Sequence, residues 1–197
     1  VDYNWKSRYY ITATGRYDGA SNFAAGKKWG FFPAVAFRWS VSNEPWFQDA
    51  TWLNDLSLRL SAGRSGNDAV SSYMSLATLN AANSDWLFGG SRELVYLPSK
   101  LANSNLTWET TDSYNLGFNL AVLNSRIVLE ADAYISVTDD LLLSMKNSQT
   151  TGFSTYFTNA GMTRNAGVEL TLTTQNIRNR NFAWTSILTM SHNRQMV

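Results

Sequence analysis

"SYNLGFNLAVLNSRIVLEADAYISV", residues 113–137, alternates oily and polar side chains almost without a break. Tyr114, Leu116, Phe118, Leu120 and Val122 take one phase, and Ser113, Asn115, Gly117 and Asn119 take the other. After Asn124-Ser125 the pattern resumes: Ile127, Leu129, Ala131, Ala133, Ile135 and Val137 against Glu130, Asp132, Tyr134, Ser136 and Thr138. A period of two is strand geometry, because successive Cβ atoms leave opposite faces. Two long strands joined by a short turn are therefore predicted here.

The same pattern extends outward over most of the chain. It covers residues 8–18, 33–42, 56–63, 108–122, 127–138, 166–174 and 182–191, with the tail of a further strand at Val1–Asn4. Ile187 is out of phase in the last run. Arg16, Arg38, Arg59, Glu109, Glu130, Asp132 and Glu169 all fall on the polar phase. The apolar phase within these runs is expected to be free of charge.

A soluble sandwich makes this alternation with its oily face inward. A membrane barrel makes it with the oily face outward and the polar face toward a lumen. Periodicity does not choose between them, but composition and lengths lean one way. Charged residues are 16% of the 197, below the roughly 25% of ordinary soluble domains, and aromatics reach 14%. Several runs reach the roughly 9–11 residues that cross a bilayer at a tilt. Short turns at Trp5-Lys6-Ser7, Asn124-Ser125 and Asn176 to Asn181, with an intermediate segment at 43–54, alternate with long loops at 19–32, 64–106 and 144–162. Long loops on one rim and short turns on the other are characteristic of outer-membrane barrels.

Other classes find little support. There is no cysteine, so disulfide, thiol and thiolate-metal chemistry are excluded. A net charge of +1 gives no basis for nucleic-acid binding. Residues 1–20 carry no signal-peptide pattern, and no apolar stretch approaches the length of a transmembrane helix. His192 is the single histidine and has no nucleophile elbow to serve. Asp139-Asp140 lack an EF-hand pattern. Glu130, Asp132 and Glu169 read as ion-pair partners for the arginines rather than as catalytic carboxylates. No enzyme, cofactor or metal site is expected.

Five ordered segments carry a family likeness. "RYYITATGRYDGASNF" (8–23) holds Arg16, Asp18, Gly19 and Phe23, and "WGFFPAVAFRWSVSNEPWF" (29–47) holds Phe32 and Pro33. "LSLRLSAGRSGND" (56–68) holds Gly63, Gly66 and Asn67, and "NSNLTWETTDSYNLGFNLAVLNSRI" (103–127) holds Trp108 and Glu109. "TTGFSTYFTNAGMTRNAGVEL" (150–170) holds Asn159, Gly161, Asn165, Gly167 and Glu169. Together they resemble the barrel of SusC/RagA-type TonB-dependent outer-membrane transporters of the Bacteroidetes. Ala20, Asn22 and Ala34 depart from the family's usual residues without disturbing the strand phases.

The resemblance implies an all-β fold: an antiparallel transmembrane β-barrel of about 22 strands, the size class of plugged transporters. Residues 1–197 would be an arc of about seven strands in one barrel domain, with plug, signal peptide and terminal strands outside it. The family's function would be TonB-driven import of oligosaccharides or peptides with a SusD-like surface lipoprotein, in the outer membrane of a Gram-negative bacterium. A siderophore- or cobalamin-type receptor and a soluble secreted glycan-binding sandwich are the alternatives. Within this frame Arg16, Arg38, Arg59, Glu130, Asp132 and Glu169 would face the lumen, with Arg16 and Asp18 near the outer rim in cross-strand or plug-facing pairs. Tyr9, Tyr17, Trp39, Phe118, Phe182 and Trp184 would form girdles against outer-membrane lipid. Trp46, Phe47 and Trp52 would anchor the inner interface. Trp86, Phe88 and Tyr96, in the longest loop, are candidates for substrate or partner contact.

Overall fold

The computed structural model describes residues 1–88 and 91–197, with the side chains of 82–88, 91–93 and 149 left aside. Eight long or edge strands form one antiparallel sheet. They are β1 (Asp2–Trp5), β2 (Tyr9–Gly19), β3 (Trp29–Ser40), β4 (Leu53–Asn67), β7 (Glu109–Val122), β8 (Ile127–Asp139), β11 (Met162–Arg178) and β12 (Ala183–Met196), in that spatial order. The seven runs and the strand tail expected from periodicity are all present. β-Branched and aromatic residues are frequent in β2, β3, β7 and β8, as suits a pleated, half-covered surface, whereas β4 carries Leu on its oily side.

The long loops contain structure that periodicity did not reveal. Residues 64–106 extend β4 to Asn67 and then form the hairpin β5 (Thr78–Phe88) and β6 (Ser91–Lys100). Residues 144–162 belong to a second hairpin, β9 (Leu142–Lys146) and β10 (Thr155–Asn159). The loop after β2 is shorter than expected because β3 starts at Trp29. Pro33, with no N–H to give, stands one residue beyond the last β3–β4 pair, Ala34 with Gly63. No α-helix occurs among the described residues; residues 41–47 and 149–151 make short 3₁₀ turns.

A single layer of sheet leaves both faces open. The accessible surface is 13727 Å², against about 9,300 Å² for a compact monomer of this mass. Leu116 is 51% exposed and Val168 55%. No second sheet covers this apolar face among the described residues, unlike the inner faces of a sandwich. The small hydrophobic core lies elsewhere, at the long-loop end: Ala20, Phe23, Phe32, Leu106 and Trp108, flanked by Val70, Met74, Leu142 and Phe157.

One hydrogen-bonded row reveals the tilt of the wall. Trp39, Leu58, Phe118, Ala131, Leu170 and Met190 are successive cross-strand partners. Trp39 ends the oily band on the short-turn side of β3, whereas Met190 ends it on the long-loop side of β12. The row therefore climbs across the band. Six strands spaced by about 4.8 Å and tilted by about 40° climb roughly 15 Å, a large part of an apolar band about 25 Å tall.

Candidate functional site

The polar face carries a graded row of charge. Arg38, Arg59, Gly117, Asp132 and Glu169 are consecutive partners across five strands, so two cations give way to two anions. Arg59 reaches over Gly117: its Nη2 donates to Asp132 Oδ2 at 3.1 Å and to Asn119 Oδ1 at 3.1 Å. A Cβ at Gly117 would lie 2.8 Å from both Arg59 Cζ and Asp132 Oδ1, so the missing side chain is what lets the bridge cross the strand. Arg59 Nε is buried without a partner. Arg38 stands 3.8 Å from Asp55.

Ion pairing is thus narrower than the sequence implied. Asp132 meets an arginine; Glu130 and Glu169 make no ion pair among the described residues. Arg16 and Asp18 pair with each other along one strand, Nε to Oδ2 at 2.7 Å, rather than across strands. The expectation of an uncharged apolar phase also fails. Asp112 shares the phase of Tyr114 and Leu116 and is held bidentately by Arg64, at 2.7 Å for each bond. Asp112 lies two residues outward of Tyr114, at the long-loop limit of the band, where a charge need not enter hydrocarbon.

Family-motif residues converge at the same rim. Phe32, opposite Arg16 on the polar phase, packs its ring edge-on to Trp108 at 5.2 Å between centroids, and Phe23 meets Trp108 at 5.2 Å from another side. Gly66 is the seat of the Phe32 ring, which any Cβ there would strike. Trp108 Nε1 donates to Lys28 O at 3.2 Å. Asn67 Nδ2 donates to Glu109 Oε1 at 3.1 Å, and Glu109 Oε2 accepts from Leu142 N at 3.0 Å. Asn159 exchanges bonds with the Thr107 backbone, N–H to Oδ1 at 2.9 Å and Nδ2 to O at 2.8 Å, and also donates to Asp140 O. Side chains from five separated segments thereby tie the loops to one another.

The remaining motif positions lie along the strands. Gly19 is beneath the Trp29 ring, Gly63 faces Ala34, Gly161 turns β10 into β11 with φ +82°, and Gly167 lies beneath Tyr134. Asn165 is opposite Ser136 and Gln195. Tyr96 is exposed on β6. The side chains of Trp86 and Phe88 lie outside the described residues.

Aromatic side chains mark both limits of the oily face. Tyr17 stacks on Trp29 at 5.1 Å on the long-loop side, and Tyr9 stacks with Trp5 and Trp39 on the short-turn side. Phe118 sits mid-band in the row described above. Phe182 and Trp184 are exposed at the short-turn end of β12.

A site not singled out from the sequence is Glu44, between the two 3₁₀ turns. It is 2% exposed. Its Oε1 accepts from Tyr9 Oη at 2.5 Å and Trp39 Nε1 at 3.0 Å, and Oε2 lies 3.3 Å from Arg8 Nη1. The available signal was a lone acid in the aromatic segment 39–47. The Tyr9 hydrogen bond, followed by Trp39, Arg8 and Lys6, holds its carboxyl below the usual 4.5 against the opposing effect of burial. A depressed folded-state value means stability present above pH 4.5 and lost as pH falls further. Backbone amides of residues 41–47 are expected to lose protection, measured against their intrinsic exchange rate at each pH, once the pH drops below that value. Glu44→Gln is expected to flatten the dependence; an unchanged profile in that variant would assign it to another group.

A one-layer antiparallel sheet with an oily face, a polar face, tall loops on one rim and tight turns on the other is the wall of an outer-membrane β-barrel. The family model described as "TonB dependent receptor-like, beta-barrel" matches residues 1–194. TonB-dependent receptor P26 of Formosa agariphila is 35% identical over 197 residues, covering 100% of this chain and 20% of that protein. TonB-dependent receptor SusC of Bacteroides thetaiotaomicron is 34% identical over 199 residues, covering 98% and 20%. The structure of the RagAB peptide importer in its closed-closed state superposes with a TM-score of 0.87 at 27% identity, covering 98% of this chain and 21% of that one. The chain belongs to the TonB-dependent receptor β-barrel family, in its SusC/RagA branch, and is an outer-membrane protein. It spans about a fifth of the length of the relatives it matches.

Proposed function

We propose that residues 1–197 form one arc of the barrel wall of an active importer of oligosaccharides or peptides. The plug and the remaining strands are supplied by sequence outside these residues. Energy comes from TonB through the plug, and a SusD-like lipoprotein covers the outer mouth. The reading is carried by similarity to SusC along 98% of this chain together with the superposition on the RagAB peptide importer. The polar face lines the lumen, and the Phe23–Phe32–Trp108 cluster holds the outer loops in a fixed rim for the lipoprotein to meet. Tyr96, Trp86 and Phe88 are the loop aromatics offered to substrate or partner. The reaction is transport, with no covalent step.

Deletion of the full-length gene is expected to abolish TonB-dependent uptake of one oligosaccharide or peptide class, and a surface lipoprotein is expected to co-purify with the intact receptor. Loss of iron-chelate or cobalamin uptake instead, with oligosaccharide and peptide uptake intact, would assign the siderophore-type alternative.

A further inference from the structure

The outward face above the oily band is not neutral. On β4 the band ends at Ala62, on β7 at Tyr114, on β11 near Ala166 and on β12 at Met190. In the same outward phase follow Arg64, Asp112, Arg164, and His192 with Arg194. Asp139 of β8, opposite Met162, also faces this surface. Arg64 and Asp112 satisfy each other. Arg164 and Arg194 are exposed and make no ion pair among the described residues.

These two arginines are diagonal neighbours on adjacent strands, since Arg164 is opposite Met196 and Arg194 is opposite Ala166. Diagonal Cβ atoms in an antiparallel pair lie about 7–8 Å apart. Two guanidinium groups on stems of that spacing can close on one tetrahedral anion, and planar N–H forks suit phosphate oxygens. The aliphatic stems lie along the apolar wall while the heads rise to headgroup depth. Among the described residues of this surface, the anion without an ion pair, Asp139, is diagonal to Arg164 on the side away from Arg194, so it leaves the cleft between the arginines open.

We infer that Arg164 and Arg194 form an outward-facing site for a phosphorylated glycolipid headgroup of the outer leaflet. The occupant is a lipid rather than a soluble anion because the cleft opens above the outward column Ala166, Val168 and Leu170 of β11, where an acyl chain would continue downward along the wall. His192, one step below Arg194, lies beside that path. The site belongs to the membrane-facing surface and is separate from the lumen and the loop mouth.

The test uses the full-length receptor in phosphatidylcholine nanodiscs doped with diphosphoryl lipid A, read by native mass spectrometry. Arg164→Gln with Arg194→Gln, which removes both charge-assisted contacts, is expected to lower bound lipid A by about tenfold or more. Arg38→Gln on the polar face is expected to leave it unchanged. Heat-modifiable gel migration reports that the variants fold. An arm that needs no variant uses dephosphorylated lipid A with the unaltered receptor and is expected to show the same loss. Retention of lipid A by the folded double variant, or equal binding of the dephosphorylated lipid, would overturn the assignment.

Discussion

Leu58→Arg is expected to destabilise the full-length barrel in lipid by about 1–3 kcal/mol, between the cost of a guanidinium at the interface and at the bilayer midplane. Leu58 stands in the oily run Leu56, Leu58, Leu60 and Ala62 of β4, one strand along from Trp39 at the edge of the band and beside Phe118 in register. The matched control is Ser61→Arg on the opposite face, between Ala36 and Asn115, where water reaches the side chain and the change is expected to stay within about 0.5 kcal/mol. Equilibrium urea unfolding in vesicles reads both. Equal tolerance of the two substitutions would mean that the faces have been assigned backwards or that neither meets hydrocarbon.

Gly66→Ala is expected to be the most damaging small substitution at the outer rim. Its Cβ would strike the Phe32 ring and stand 3.0 Å from Trp108 Cε3. Phe32 cannot simply swing aside, because Trp108 packs edge-to-face against it and is itself backed by Phe23. Forcing one methyl into such a site costs about 1–3 kcal/mol. The readout is proteolysis of the loops around residues 70–76 and 147–154, which the cluster holds through Val70, Met74 and Phe157. Phe32→Leu in the Gly66→Ala background is expected to recover part of the loss, because the two positions share one volume. Strict additivity would show that Gly66 answers to something other than that ring.

Both predictions rest on features of unequal visibility in the sequence. Strand existence and facing were legible, because a strict period of two survives in 113–122 and 127–137 whatever packs nearby. The β5–β6 hairpin was not, because "NAANSD" interrupts its alternation and Pro98 lies within β6. β9 and β10 are five residues each, too short for periodicity to stand out. Phe32 was visible as a motif residue, yet its place on the polar phase depends on register with Arg16, which one strand alone does not give. Asp112 broke the phase rule for a positional reason: alternation tells which face a residue occupies, not how far along the strand the hydrocarbon stops. The rim cluster was legible only as five separate motifs, since what unites them is contact between segments far apart in the chain, such as Phe23 with Trp108.

The climb of the Trp39–Met190 row has a bearing on the bore of the closed wall. In a cylinder of hydrogen-bonded strands, the offset accumulated on going once around sets the circumference together with the strand number. A two-residue insertion inside one strand would keep every side chain on its own face and still alter that offset. Pore calibre is therefore a quantity evolution can adjust by paired indels without rewriting which residues meet oil and which meet water.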